Sequence, residues 1–213
     1  MNGIKNINNR VSQVNRTRIF VVIMGTMIGF VGICHGIFET MQGNKPTEGF
    51  LLKSMGAFTI IQNYLLTGVV TILVGAAIIC WTIGFIHKNK GPIIFLFLSI
   101  LLFMVGGGIA HVLFFVLIWL VSLRINKPVK LWIKVFPVHL QLSLCKLWLI
   151  YLISSFLFLA LGIIIWVIFL PPGLPHNKTL IIYACWSFLG LGLIFQILTI
   201  VAGFVYDFQR QLK

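Results

Sequence analysis

PIIFLFLSILLFMVGGGIAHVLFFVLIWLVSL, residues 92–123, is one apolar run interrupted near its middle by Gly106, Gly107 and Gly108. As a single straight helix it would run about 48 Å, against a bilayer core about 30 Å thick. It is too long for one span. Each half alone reaches only about 22 Å, so the natural compromise is a broken or re-entrant helical hairpin with the glycines near its tip.

The choice between one span and a hairpin sets the side on which everything downstream emerges, and the distribution of Lys and Arg arbitrates. With a hairpin, one face collects Lys5, Arg10, Arg16 and Arg18, then Lys88 and Lys90, then Arg124, Lys127, Lys130, Lys134 and Lys146, and finally Arg210 and Lys213. Only Lys45, Lys53 and Lys178 remain on the other face. With a single span the two faces hold nearly equal numbers. The hairpin is therefore favoured, with both termini on the basic, cytoplasmic side.

Four further apolar runs are long enough to cross: residues 19–40, 58–86, 147–170 and 180–206. The expected fold is an all-α polytopic transmembrane bundle of four full spans plus the Gly-broken hairpin, with six spans as the alternative. Residues 1–18 form an N-terminal tail and residues 207–213 a C-terminal one, leaving a single bundle over 19–206. Between hairpin and third span, Lys127, Lys130 and Lys134 recur at helical spacing beside Leu131, Trp132, Val135 and Phe136, so residues 124–146 read as an interfacial strip with a helix ended by Pro137. Residues 138–144 read equally as an extended lead-in or as the first turns of the next helix.

Composition agrees. The 213 residues are 60% hydrophobic and 9% charged, against about 25% charged in soluble domains, and the mean hydropathy is +1.08. The net charge of +13 sits at the ends of apolar runs, while Glu39, Glu48 and Asp207 are the only acids. That pattern points to the bilayer and its anionic headgroups as partners and away from nucleic acid. A homo-oligomer or a membrane partner stays open. The first apolar run is too long for a signal-peptide core and is expected to stay as a membrane helix. Cys34, Cys80, Cys145 and Cys185 stand alone, without a CxxC pair, and read as small buried hydrophobes. Rich Asn, Ile, Lys and Phe usage suggests a bacterium, and the cell membrane as location.

In the first span Gly25, Gly29, Gly32 and Gly36 follow i, i+4, i+7 and i+11, one narrow face that permits close backbone approach. Tyr64, Gly68, Thr71 and Gly75 use the same spacing in the second, which makes it the expected partner. Glu39 closes the first span four residues after His35, so the two can meet as an i, i+4 pair. From Arg18, His35 lies about 25 Å and Glu39 about 31 Å along the axis, near the outer interface. Gln62 and Asn63 enter the second span at similar depth, as do Tyr183 and Ser187 in the last. His111, three residues past the glycines, could reach the same level. A polar pocket of His35, Glu39, Gln62, Asn63 and His111 follows, since ionisable groups inside a membrane are functional candidates by default. The bland alternative is that His35 and Glu39 sit among headgroups and cap a helix pair.

Such a pocket suits several chemistries. It could bind or pass a small solute or ion, as broken helices do in transporters. His35 and Glu39 could instead act as catalytic base and orienter on a lipid or isoprenoid. No cofactor is expected, with a metal at His35, Glu39 and His111 as a weaker alternative. GxxxxGK[ST], HExxH, GxSxG and CxxC are all missing, which removes the usual marks of ATPases, zincins, elbow hydrolases and thiol redox enzymes. His87 and His139 fall in boundary regions, and His176 and the Asn177-Lys178-Thr179 sequon in a loop. The leading expectation is a non-enzymatic membrane protein that binds or passes a small solute or ion, or serves as an accessory or sensor subunit.

HGIFETMQGNKPTEGF (residues 35–50), TIIQNYLLTG (59–68) and FMVGGGIAH (103–111) together give residues 31–111 a form that resembles uncharacterised small bacterial polytopic membrane proteins. The resemblance implies no activity. It points to His35, Glu39 and Gly106 to Gly108.

Overall fold

A computed structural model describes residues 15–52, 57–108, 111–125, 127, 136–169 and 179–211. The elements in chain order are α1 (Arg16–Thr40), β1 (Leu51–Leu52), β2 (Ala57–Phe58), α2 (Tyr64–Phe85), α3 (Gly91–Met104), α4 (His111–Ser122), α5 (Val138–Phe169) and α6 (Thr179–Gln211). Helices α1, α2, α5 and α6 are long and apolar enough to cross a membrane, whereas α3 is a shorter apolar helix. The surface agrees: Phe30, Leu73 and Phe97 are each more than 60% exposed, which water would penalise and lipid does not. This is a multi-pass α-helical membrane protein. Its chain divides into two compact units, Met1–Lys127 and Pro128–Lys213.

In the first unit α1 and α2 run antiparallel. A Cβ on Gly29 would lie 2.6 Å from Gly75 O, and one on Gly36 would lie 2.6 Å from Gly68 O. The backbones thus touch directly, which in lipid substitutes packing and dispersion for the missing hydrophobic drive. Gly25 meets Thr82 of α2 and Phe95 of α3, and Gly32 meets Leu102 of α3, so the one stripe seats both α2 and α3. Gly32 therefore packs on the hairpin.

The path of residues 92–123 follows from its ends. Asn15 caps α1, its side chain accepting from Arg18 N at 3.0 Å, and its Nδ2 donates to Ile125 O just past α4. At the same end, Gly91 opens α3 against the Phe85 and Ile86 carbonyls that close α2, and Trp81 Nε1 donates to Gly91 O at 3.0 Å. α3 then rises beside α1 from Phe95 at Gly25 to Leu102 at Gly32. Both feet of the segment stand at the Asn15 end of the unit. With 14 and 12 residues, the two arms are about 21 and 18 Å long. The run is a hairpin, broken at Gly106 (φ +116°) and Gly108 (φ +87°), a region that L side chains rarely enter.

Three boundaries differ from the sequence reading. α2 begins at Tyr64 rather than near residue 58, because Asn63 accepts from Leu66 N at 3.1 Å as an N-cap and residues 57–58 pair with 51–52 as a small antiparallel ribbon. α5 begins at Val138 rather than 147, so residues 138–144 are its first turns, with Leu140 N and Gln141 N bonded to Pro137 O. α6 continues to Gln211, through what read as a tail. The proposed interfacial helix falls largely on residues 128–135, outside the described residues.

The second unit is an antiparallel pair. Gln209 Nε2 donates to Gln141 Oε1 at 3.1 Å at one end. Farther along, Phe158 stacks on Phe195 at 5.4 Å and on Phe188 at 6.0 Å. Gly162 and Gly192 admit Leu189 and Leu159, and Cys185 donates to Gly162 O. Buried polar side chains here include Asp207, 4% exposed, and Gln196, 1% exposed.

Candidate functional site

Away from Asn15, the first unit is closed by a polar layer that α1, α2, the β ribbon and the hairpin tip build together. Phe58 stacks on Phe103 at 5.7 Å, Ile60 N donates to Met104 O at 2.9 Å, and Thr59 pairs with Val105 as an antiparallel bridge. The ribbon therefore continues onto the tip and satisfies backbone groups that the glycine break frees, which is the condition for irregular backbone at membrane depth. Beneath it lie Thr59, Thr67 and Thr71, each 0% exposed. Thr59 Oγ1 and Thr67 Oγ1 are 3.2 Å apart. Thr67 Oγ1 donates to Ile61 O at 2.8 Å.

Glu39 sits at the centre of this layer and is 0% exposed. Its Oε2 is 3.4 Å from Thr71 Oγ1. Oε1 is buried and has no hydrogen-bond partner among the described residues. The carboxyl lies flat against Gly106, where any Cβ would overlap both oxygens and Cδ. Thr71 Oγ1 also contacts Val105 O, so one hydroxyl links the carboxyl to the tip.

Among the expected site residues, the structure brings together Glu39 and Gly106, with Gly107 folded back on Leu102 through a 2.8 Å N–H···O bond. It separates others. The partner of the Glu39 carboxyl is Thr71 and not His35, which is half-buried one turn earlier. Gln62 is exposed in the turn before α2. Asn63 spends its side chain on the α2 cap and on Asn44 Oδ1, 2.7 Å away. His111 opens α4, and its side chain lies outside the described residues. Among the described residues no three His, Cys, Asp or Glu side chains converge as metal ligands. What reasoning from sequence missed was the threonine set. Its signal was present as Thr67 and Thr71, four residues apart within an otherwise apolar span.

Comparison with known protein families, curated proteins and solved structures returns no match. The site has to be read from its own chemistry.

Charge separates the two ends of this unit. Arg16, Arg18, Lys88, Lys90, Arg124 and Lys127 flank the Asn15 end, while Lys45 and Glu48 lie in the loop after α1. His87 registers the crowding. Burial first, then the neighbouring Arg18 and Lys88 charges, hold its imidazole below the usual histidine range.

Proposed function

We propose that this membrane protein binds or passes a small ion or solute at the Glu39 site. The observation that carries the reading is a fully buried carboxyl, one oxygen of which has no hydrogen-bond partner among the described residues, held under the glycine tip of a helical hairpin. A lone carboxyl away from water is costly and is retained where it serves a ligand or a pathway. Broken helices that carry their breaks to such a group are the usual way a bundle offers backbone carbonyls to an ion. The lipid-modifying alternative requires Glu39 to reach acyl chains or headgroups. Its complete enclosure by Thr71 and Gly106 speaks against that.

A ligand that binds the folded state raises its stability, by about 2.7 kcal/mol at a hundredfold excess over Kd. In nanodiscs, thermal unfolding of the wild type is expected to shift on varying pH, Na+ or K+, and Glu39→Gln to abolish the shift. An identical response in the two proteins would remove this reading.

We also assign the Asn15 end of the first unit to the cytoplasm, on the positive-inside pattern that its six flanking basic residues follow, in a bacterial cell membrane. Single cysteines replacing Lys90 and Lys127 in a cysteine-free background are then expected to react with an impermeant thiol reagent only after the membrane is opened. Labelling of one but not the other in intact cells would contradict the hairpin, and labelling of both would invert the orientation.

A further inference from the structure

The hydrogen count around Thr71 identifies the ligand. Thr71 Oγ1 faces three acceptors: Thr67 O at 2.8 Å, Glu39 Oε2 at 3.4 Å, and Val105 O. Glu39 Oε1 adds a buried oxygen with no donor among the described residues. A threonine hydroxyl carries one hydrogen and an ionised carboxylate none, so with Glu39 ionised this layer holds too few hydrogens for its oxygens. One additional proton on Glu39 supplies the hydrogen missing around Thr71, leaving Oε1 as the acceptor without a donor among the described residues. The acid O–H then donates to Thr71 Oγ1, and the Thr71 O–H is free to donate to Val105 O.

We propose that Glu39 is a proton-binding site beneath the hairpin tip, and that Thr71 is the positioning residue relaying its occupancy to the Val105 carbonyl. The inference rests on the ion-binding reading above and names the ion. Space favours a proton over a metal cation. Both carboxyl oxygens occupy the space that a Cβ on Gly106 would need, so the tip crowds that face of the carboxyl, whereas a bound metal ion needs several oxygens at about 2.0–2.6 Å around it. When the proton leaves, the carboxylate gains a full negative charge and becomes the strongest acceptor within reach of Thr71. The Thr71 hydrogen turns to it, and Val105 O loses a donor at the point where the hairpin reverses.

Titratable groups on the surrounding elements are Arg16, Arg18, Cys34 and His35 on α1, Tyr64 and Cys80 on α2, His111 at the head of α4, and Lys45 and Glu48 in the loop after α1. α3 and the described strands carry none. Among the described side chains, the one hydrogen-bonded to the Glu39 carboxyl is Thr71.

The chain has only three acidic side chains, which makes infrared difference spectroscopy decisive. Wild type, Glu39→Gln and Thr71→Val in nanodiscs are titrated with pH at fixed Na+ and with Na+ at fixed pH. Expected is a carbonyl band of a protonated carboxylic acid that titrates in wild type, is absent in Glu39→Gln, shifts in frequency in Thr71→Val, and is unaffected by Na+. Glu39→Gln keeps the shape and a donor, so folding is preserved. Thr71→Val, nearly isosteric, reports on the same group without removing it. A band unchanged by Glu39→Gln overturns the proposal. So does a Glu39 band that Na+ abolishes at fixed pH, although that outcome leaves the ion-binding reading intact. If neither pH nor cations evoke any Glu39-dependent change in spectra or stability, both fall together. A Glu39 band of unchanged frequency in Thr71→Val overturns the relay.

Discussion

Gly106→Val is expected to lower the stability of the first unit by about 3 kcal/mol or more, through two separable costs. The backbone at Gly106 has φ +116°, where a β-branched residue is strained by about 1–3 kcal/mol. The new side chain would also collide with the Glu39 carboxyl, and overpacking of a filled site adds about 1–3 kcal/mol. Controls divide the two. Gly43 has φ +78° with nothing within 4 Å of where a Cβ would stand, so Gly43→Ala should show only the backbone cost, about 1 kcal/mol. Shortening the carboxyl with Glu39→Ala should rescue part of the Gly106→Val loss, the part due to collision. Thermal unfolding in nanodiscs measures all four proteins. Equal losses for Gly106→Val and Gly43→Ala would mean that the tip does not press on Glu39.

The second large effect is expected at the α1–α2 seam. A Cβ on Gly68 would lie 2.5 Å from Gly36 O and 2.6 Å from Thr40 N. Both are backbone atoms of a helix, so relief requires the whole helix to move. Gly68→Val should therefore cost about 2–3 kcal/mol, force α1 and α2 apart and loosen the Thr71–Glu39 contact one turn away. Gly84 lies on the same helix with nothing near a Cβ. Gly84→Ala should be neutral or stabilise by up to about 1 kcal/mol, since alanine only improves helix propensity there. Unfolding temperatures of the pair compare seam with open face in one helix. A Gly68→Val protein as stable as wild type would show that backbone contact does not hold α1 to α2.

Most of the architecture was legible in the residues themselves. An apolar run must cross or fold back, because the bilayer fixes its length. Thirty-two apolar residues with three glycines at the centre and lysines or arginines beyond both ends therefore favoured a chain that doubles back rather than one long span. The glycine stripe of α1 was equally plain, since helical spacing alone puts Gly25, Gly29, Gly32 and Gly36 on one face. The helix ends were less so. Phe58, Ile60 and Ile61 look like the start of the helix that follows, and the pairing of Thr59 with Val105 and the Asn63 cap draw them out of it.

Residue order alone dictated that the chain suits a membrane, where its long apolar runs lie, and that Glu39 was a candidate ionisable group at a helix end. Which side chain meets that carboxyl was settled in three dimensions. Local spacing nominated His35, on the same helix, but the antiparallel seam of glycines slides Thr71 alongside Glu39, and the reversal at Gly106 presses the hairpin backbone onto it. Both contacts join residues more than thirty positions apart in the chain, and no periodicity within a single helix encodes the register between two.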